Sequence, residues 1–193
     1  MRIIIILSGF IISVLNCIGQ NEINFRPKQL FKELKHQFKC ESPIFVELEN
    51  NSEIITNSLN EKYFKIKNNL LLIGYTYIGR VKTCRTAFCS ASYNNLKKDS
   101  QEFFDYFILF DTSAKIIAVN IYNYQASHGQ EITIKSWLNQ FIGYDGSSEL
   151  NVGKNIDAIS GATISVNSIT NDISNKTKML KKYITQQNDR KNK

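Results

Sequence analysis

The segment 103–124 limits the possible folds of this chain more than any other. An apolar run at residues 103–110 meets Asp111-Thr112-Ser113 and returns as residues 115–124. Two such runs joined by turn residues read as a β-hairpin. On the return, Ile117, Val119 and Ile121 alternate with Ala118, Asn120 and Tyr122, which predicts one buried face. A second hairpin is expected where residues 63–66 and 70–78 flank Asn68-Asn69, with Tyr75, Tyr77 and Ile78 leading to Gly79-Arg80. Residues 44–48 suit a short strand, and residues 50–60 are polar and loop-like. Helical spacing flanks these strands. Pro27 opens a pattern of Leu30, Phe31, Leu34 and Phe38 that Ser42-Pro43 closes. Near the other end, Val166, Ile169, Ile173, Leu180 and Ile184 recur at threes and fours. The expected class is α+β: an antiparallel twisted sheet built from hairpins, with flanking helices.

At 193 residues, 42% hydrophobic and 21% charged, the chain suits one globular domain that needs no disulfide support. Its formal charge is +7, part of it from Lys181, Lys182, Arg190, Lys191 and Lys193. Residues 186–193 are read as a solvated basic tail, with docking to an anionic membrane or partner as the alternative. Basic residues do not interleave with aromatic ones, so nucleic acid is not an expected partner. Residues 1–19 read as a signal peptide: Arg2, an apolar stretch at 3–15, then Cys17-Ile18-Gly19 before Gln20. The stretch falls short of the ~20 apolar residues that span a bilayer. An uncleaved anchor and lipid attachment at Cys17 remain open, the second disfavoured by Asn16. The expected location is extracytoplasmic, as in a periplasm, with membrane association open.

Export leaves Cys40, Cys84 and Cys89, an odd number in an oxidising compartment. Cys84 and Cys89 could close a small loop as a disulfide, form a redox-active pair, or stay as thiols. Their spacing is neither C-x-x-C nor that of a zinc or haem site. Arg80, Lys82 and Arg85 stand beside them and are read as a solvated strand end.

Chemistry concentrates at Asp157-Ala158-Ile159-Ser160-Gly161-Ala162-Thr163, directly before the C-terminal helical pattern. Ser160, Gly161 and Ala162 are small enough to let a bulky ligand approach the backbone. The Thr163 hydroxyl stands at a helix start, where free N–H groups and the helix dipole favour a phosphate. A strand-to-helix turn with a Thr or Ser cap is the plainer reading of the same residues.

This run resembles the flavin-attachment site, D-x-x-S/T-G-A-T/S, of the FMN-binding domain family. That family is typified by the flavin-bearing C subunit of the sodium-pumping NADH:quinone reductase and the G subunit of the Rnf complex. The resemblance implies FMN joined through its phosphate to Thr163 by a dedicated flavin transferase. Ser160, Gly161 and Ala162 would form the cradle, and Asp157 the acidic mark for that enzyme. Ser165 is a second candidate acceptor. Residues 137–143 resemble the W-x-x-Q-F-x-G element that precedes the flavin site in the family, with Ile134, Leu138 and Phe141 expected on one helical face. The upstream loop holds His128 and Glu131 as candidate cofactor contacts, but His128-Gly129-Gln130-Glu131-Ile132 departs from the family's H-x-E-T-P-G. The family-like core spans 103–180 within a domain of 20–185. The expected function is that of an exported electron carrier with covalent FMN and a membrane or periplasmic redox partner. Two other functions stay open: a thiol–disulfide protein using Cys84 and Cys89, and a cofactor-free secreted binding module. No acid–base pair points to substrate turnover, so no catalytic residue is assigned.

Overall fold

A computed structural model describes residues 22–49, 55, 57–83 and 102–191. The proposed signal peptide with Cys17, the cysteine pair Cys84 and Cys89, and Arg85 all lie outside the described residues. Five strands follow a first helix: α1 (Lys28–Phe38), then β1 (Ile44–Glu47), β2 (Glu61–Asn68), β3 (Leu71–Lys82), β4 (Phe103–Phe110) and β5 (Ile116–Gln125). They form one sheet in the order β1-β2-β3-β4-β5, every pair antiparallel. Beyond the sheet come a short α2 (Lys135–Leu138) and a long α3 (Thr163–Lys191). The α+β class and both expected hairpins are present. Among the described residues no helix is long and apolar enough to cross a membrane.

Local chemistry explains the element ends. The turn between β4 and β5 is held by Asp111, whose Oδ1 accepts from Ser113 N at 2.8 Å, Ser113 Oγ at 2.7 Å and Lys115 N at 2.9 Å. This is the short-range carboxylate bonding that suits Asp to turns. The β2–β3 turn sits one residue later than expected, because Asn68 pairs with Leu71 and Asn69 takes the left-handed conformation. Helix α1 stops at Lys39, also left-handed, three residues ahead of Ser42-Pro43. Helix α3 contains no Gly or Pro and stays helical through Lys191, so most of the expected tail 186–193 extends the helix.

The alternation along β5 predicted one buried face; the sheet is covered on both. Leu30 and Leu34 of α1 pack with Phe64, Ile66, Ile78, Phe107, Leu109 and Ala118. Across the sheet, Val166, Ile169, Ile173 and Leu180 of α3 join Trp137, Leu138 and Phe141 over Tyr77, Tyr106, Ile108 and Phe110. Double coverage explains why β4 is a near-continuous apolar run rather than an alternating one. It also changes the reading of Arg80, expected in solvent. Arg80 forks onto buried Asp105 through Nε at 2.6 Å and Nη2 at 2.9 Å, and Asn123 donates to the same carboxylate at 2.8 Å. A buried carboxylate needs such partners, since its desolvation costs several kcal/mol or more. Cys40 is buried with a free thiol.

Under α3, three tyrosines step across successive strands: Tyr63 on β2, Tyr77 on β3 and Tyr106 on β4, with centroids 4.9 and 5.6 Å apart. Each buried phenol has a hydrogen-bond acceptor. Tyr106 donates to Asp172 Oδ2 at 2.6 Å, Tyr77 to Glu61 Oε2 at 2.9 Å and Tyr63 to the Lys176 carbonyl at 3.1 Å. Lys176 Nζ closes the cluster onto Glu61. Two of these acceptors belong to α3, so the network fixes the helix's rotation as well as its distance from the sheet.

Burial raises the pKa of Asp172 despite the Tyr106 hydrogen bond and nearby Lys176. A carboxyl with a raised folded pKa holds its proton to higher pH folded than unfolded. Its contribution therefore becomes unfavourable as pH climbs from the unfolded pKa through the folded one. Asp172→Asn, which keeps an acceptor for Tyr106, should gain thermal stability relative to the parent at pH 8, and the gain should shrink as pH falls to about 4, the unfolded carboxyl's pKa. Thermal unfolding of both proteins at the two pH values tests this, and a gain that grows on acidification would contradict it.

Candidate functional site

The segment 157–163 is held by the element before it. Trp137 is buried edge-on against Phe141, with centroids 5.4 Å apart. Its indole Nε1 donates to the Asp157 carbonyl at 2.9 Å. Gln140 Oε1 accepts the Asp157 N–H at 2.8 Å, while Gln140 Nε2 donates to the Trp137 carbonyl at 3.1 Å. The Asp157 backbone is thus gripped from both sides and its side chain left exposed. Trp and Gln three residues apart meet the two peptide groups that flank one Cα because they stand one helical turn from each other. Ile134, expected inside, is 54% exposed; Ile132 is buried in its place because the chain runs through two short 3₁₀ turns around α2 rather than one helix.

From Asp157 the chain turns sharply into α3. Partly buried Ile159 packs on the core, and its carbonyl accepts the Ala162 N–H at 3.1 Å. Gly161 has φ +82°, a conformation that side chains resist, and space is open where a Cβ would stand. Ala162 is buried at 2%, so its small size serves packing. Ser160, Gly161 and Thr163 form the exposed surface.

Thr163 is the first residue of α3, a helix about 43 Å long at 1.5 Å per residue. The residue before it is Ala162, whose carbonyl accepts the Val166 N–H at 2.9 Å and which has no side-chain oxygen for capping. A Thr or Ser cap, the plainer reading of the motif, is therefore not what stands at the capping position. The Thr163 hydroxyl is exposed and has no protein partner among the described residues. The first N–H groups of a helix lack intrahelical acceptors, which makes this end receptive to an anion.

The other expected residues divide. Ser165 is buried at 3%, its Oγ 3.3 Å from the Tyr124 hydroxyl. Tyr124 also donates to the His128 carbonyl at 2.5 Å and stacks at 5.9 Å on Phe104. Burial raises its pKa, keeping the phenol protonated as a donor. Gly129, with φ +86°, lies against Ser165: a Cβ there would come within 2.7 Å of Ser165 Oγ. These contacts bring the 126–131 loop beside the first turn of α3. The His128 ring is exposed, with Nδ1 2.8 Å from Ser127 Oγ, and Glu131 is exposed in the adjoining turn. Among the described residues no group of His, Cys, Asp or Glu is arranged to hold a metal. Sequence reasoning missed Tyr124 and Gly129 as holders of the site, for nothing local marks a strand-end tyrosine or a loop glycine as neighbours of a residue some 40 positions on.

An antiparallel sheet under a long helix, with a clamped acidic turn and a free hydroxyl at the helix start, defines a domain suited to carrying a phosphate-bearing group. Residues 102–177 match the family described as FMN-binding domain. The resemblance drawn from the motif is borne out for that stretch, which takes in β4, β5, α2 and the first half of α3. The match gives it a flavin-binding role of the electron-transfer type, with FMN as cofactor. No curated protein matches the chain.

The two glycines make contrasting predictions. Gly129→Ala incurs both the left-handed strain of about 1–2 kcal/mol and a clash with Ser165. Gly161→Ala incurs the strain alone, since its Cβ would meet nothing. Chemical denaturation should show the larger loss for Gly129→Ala; equal losses would mean the loop does not press on α3.

Proposed function

We propose that this protein is an exported electron carrier whose FMN is esterified through its phosphate to Thr163 Oγ1. The observation that carries this reading is the hydroxyl of exposed Thr163 at the start of α3, without a partner among the described residues, inside a stretch that matches the FMN-binding domain family. The residues present fit such a group. The first-turn N–H groups would donate to the phosphate, and the helix dipole would favour its charge. Gly161 leaves open space beside the ester. Trp137 and Gln140 fix Asp157, whose free carboxylate is the feature a flavin transferase would recognise. Bound FMN would supply one- and two-electron transfer. The 126–131 loop, held against α3 by Tyr124 and Gly129, supports His128 and Glu131 as contacts for FMN.

A covalent link suits a protein outside the cytosol, where cofactor lost by dissociation is not replaced. The apolar stretch at 3–15 supports export, and a membrane or periplasmic redox partner would exchange electrons with the flavin. Between the two candidate hydroxyls, burial of Ser165 under Tyr124 and Gly129 favours Thr163 as the acceptor.

Co-expression with a flavin transferase in an exporting host tests this directly. The parent and Ser165→Ala should each gain the mass of one FMN ester and fluoresce in a denaturing gel, while Thr163→Val should do neither. A Thr163→Val protein that stays flavinylated would overturn the assignment.

A further inference from the structure

Helix α1 lies outside the family-matched stretch and has an exposed face against which no described element packs. Lys28, Lys32 and Lys35, with Lys39 at its C-terminal cap, are all exposed. At 3.6 residues per turn these four fall within an arc of about 60°. Leu30 and Leu34, both buried at 0%, lie on the side facing the sheet. His36 borders the lysines. Only one acid within the helix could offset them, and Glu33 is turned away toward Lys135 of α2, at 3.3 Å, with its side chain 16% exposed. Lys35 reaches Glu41 at 2.7 Å, but both side chains are about 70% exposed, and such a pair contributes little in water. Phe31 flanks the stripe and is itself 37% exposed, packed on Phe45 at 5.6 Å.

We infer that the lysine face of α1 docks the protein onto an anionic phospholipid surface. A straight, one-sided row of ammonium groups fits a plane of phosphates. Lysines supply charge without the forked geometry that reads bases or carboxylates specifically. An aromatic ring beside a basic row is what an interfacial helix presents to the headgroup boundary. Each lysine near such a surface adds attraction that salt screens away. The ion pair from Glu33 to Lys135 joins α1 to the element that grips Asp157, so docking would also orient that end of the molecule. The inference does not depend on the flavin assignment.

Sedimentation of the purified full-length protein with vesicles tests it, using phosphatidylcholine alone or with about one-third phosphatidylglycerol. Replacing Lys28, Lys32, Lys35 and Lys39 together with Gln should weaken binding to anionic vesicles by about tenfold or more. Replacing the scattered exposed Lys82, Lys115, Lys154 and Lys182 with Gln removes equal charge and should change binding by less than about twofold. Raising salt from about 0.05 to 0.5 M should release the parent. Circular dichroism confirms that both variants fold. Equal loss in the two variants would mean net charge alone acts. Equal binding to neutral vesicles would mean the apolar N-terminal stretch acts. Either result, absence of vesicle binding, or binding to an oligonucleotide in its place, would overturn the inference.

Discussion

The seating of α3 on the sheet is the constraint on which the rest depends. Apolar contact alone would let a helix slide and rotate, because dispersion and hydrophobic burial are non-directional. Hydrogen bonds are not. Tyr106 to Asp172 and Tyr63 to the Lys176 carbonyl tie the helix to two strands at defined points along its length. With those points set, the position of Thr163, about two and a half turns upstream of Asp172, follows from helical geometry. The fixed geometry comes with buried charge: Asp172 is kept in a site that disfavours its ionised form, a polar network retained where apolar side chains would pack more easily.

The same economy of parts recurs at the other end of α3. The turn into the helix contributes no side-chain cap, and the hydroxyl that could have served as one is left facing outward. Stability for that exposed turn comes from next door, where Trp137 and Gln140 clamp the backbone of Asp157 on both sides and Gly129 packs against Ser165. Work is divided accordingly. The scaffold rigidifies the neighbours of Thr163 without occupying Thr163 itself, which is what the proposed attachment there requires.

Coverage of the sheet separates the two sides of the molecule. One side carries α3 and the motif; the other carries α1, with its buried leucines inward and its lysines outward. The Glu33–Lys135 pair and the contacts of α1 with β5 connect the sides at one edge.

Short-range pattern in the sequence was enough to define the two hairpins, both terminal helices and the motif with Thr163 at a helix start. Those features depend on residues within a few positions of each other: turn-forming Asp111, the spacing of Val166, Ile169 and Ile173, the small residues before Thr163. Tertiary structure alone decided what depends on distant pairs. It buried Ser165 against Tyr124 and Gly129, turned Arg80 inward onto Asp105, left Ile134 outside, and joined Trp137 and Gln140 to Asp157. The physical reason is that a side chain's partners across a sheet or between loops are set by which surfaces the fold brings together, and no local periodicity carries that information.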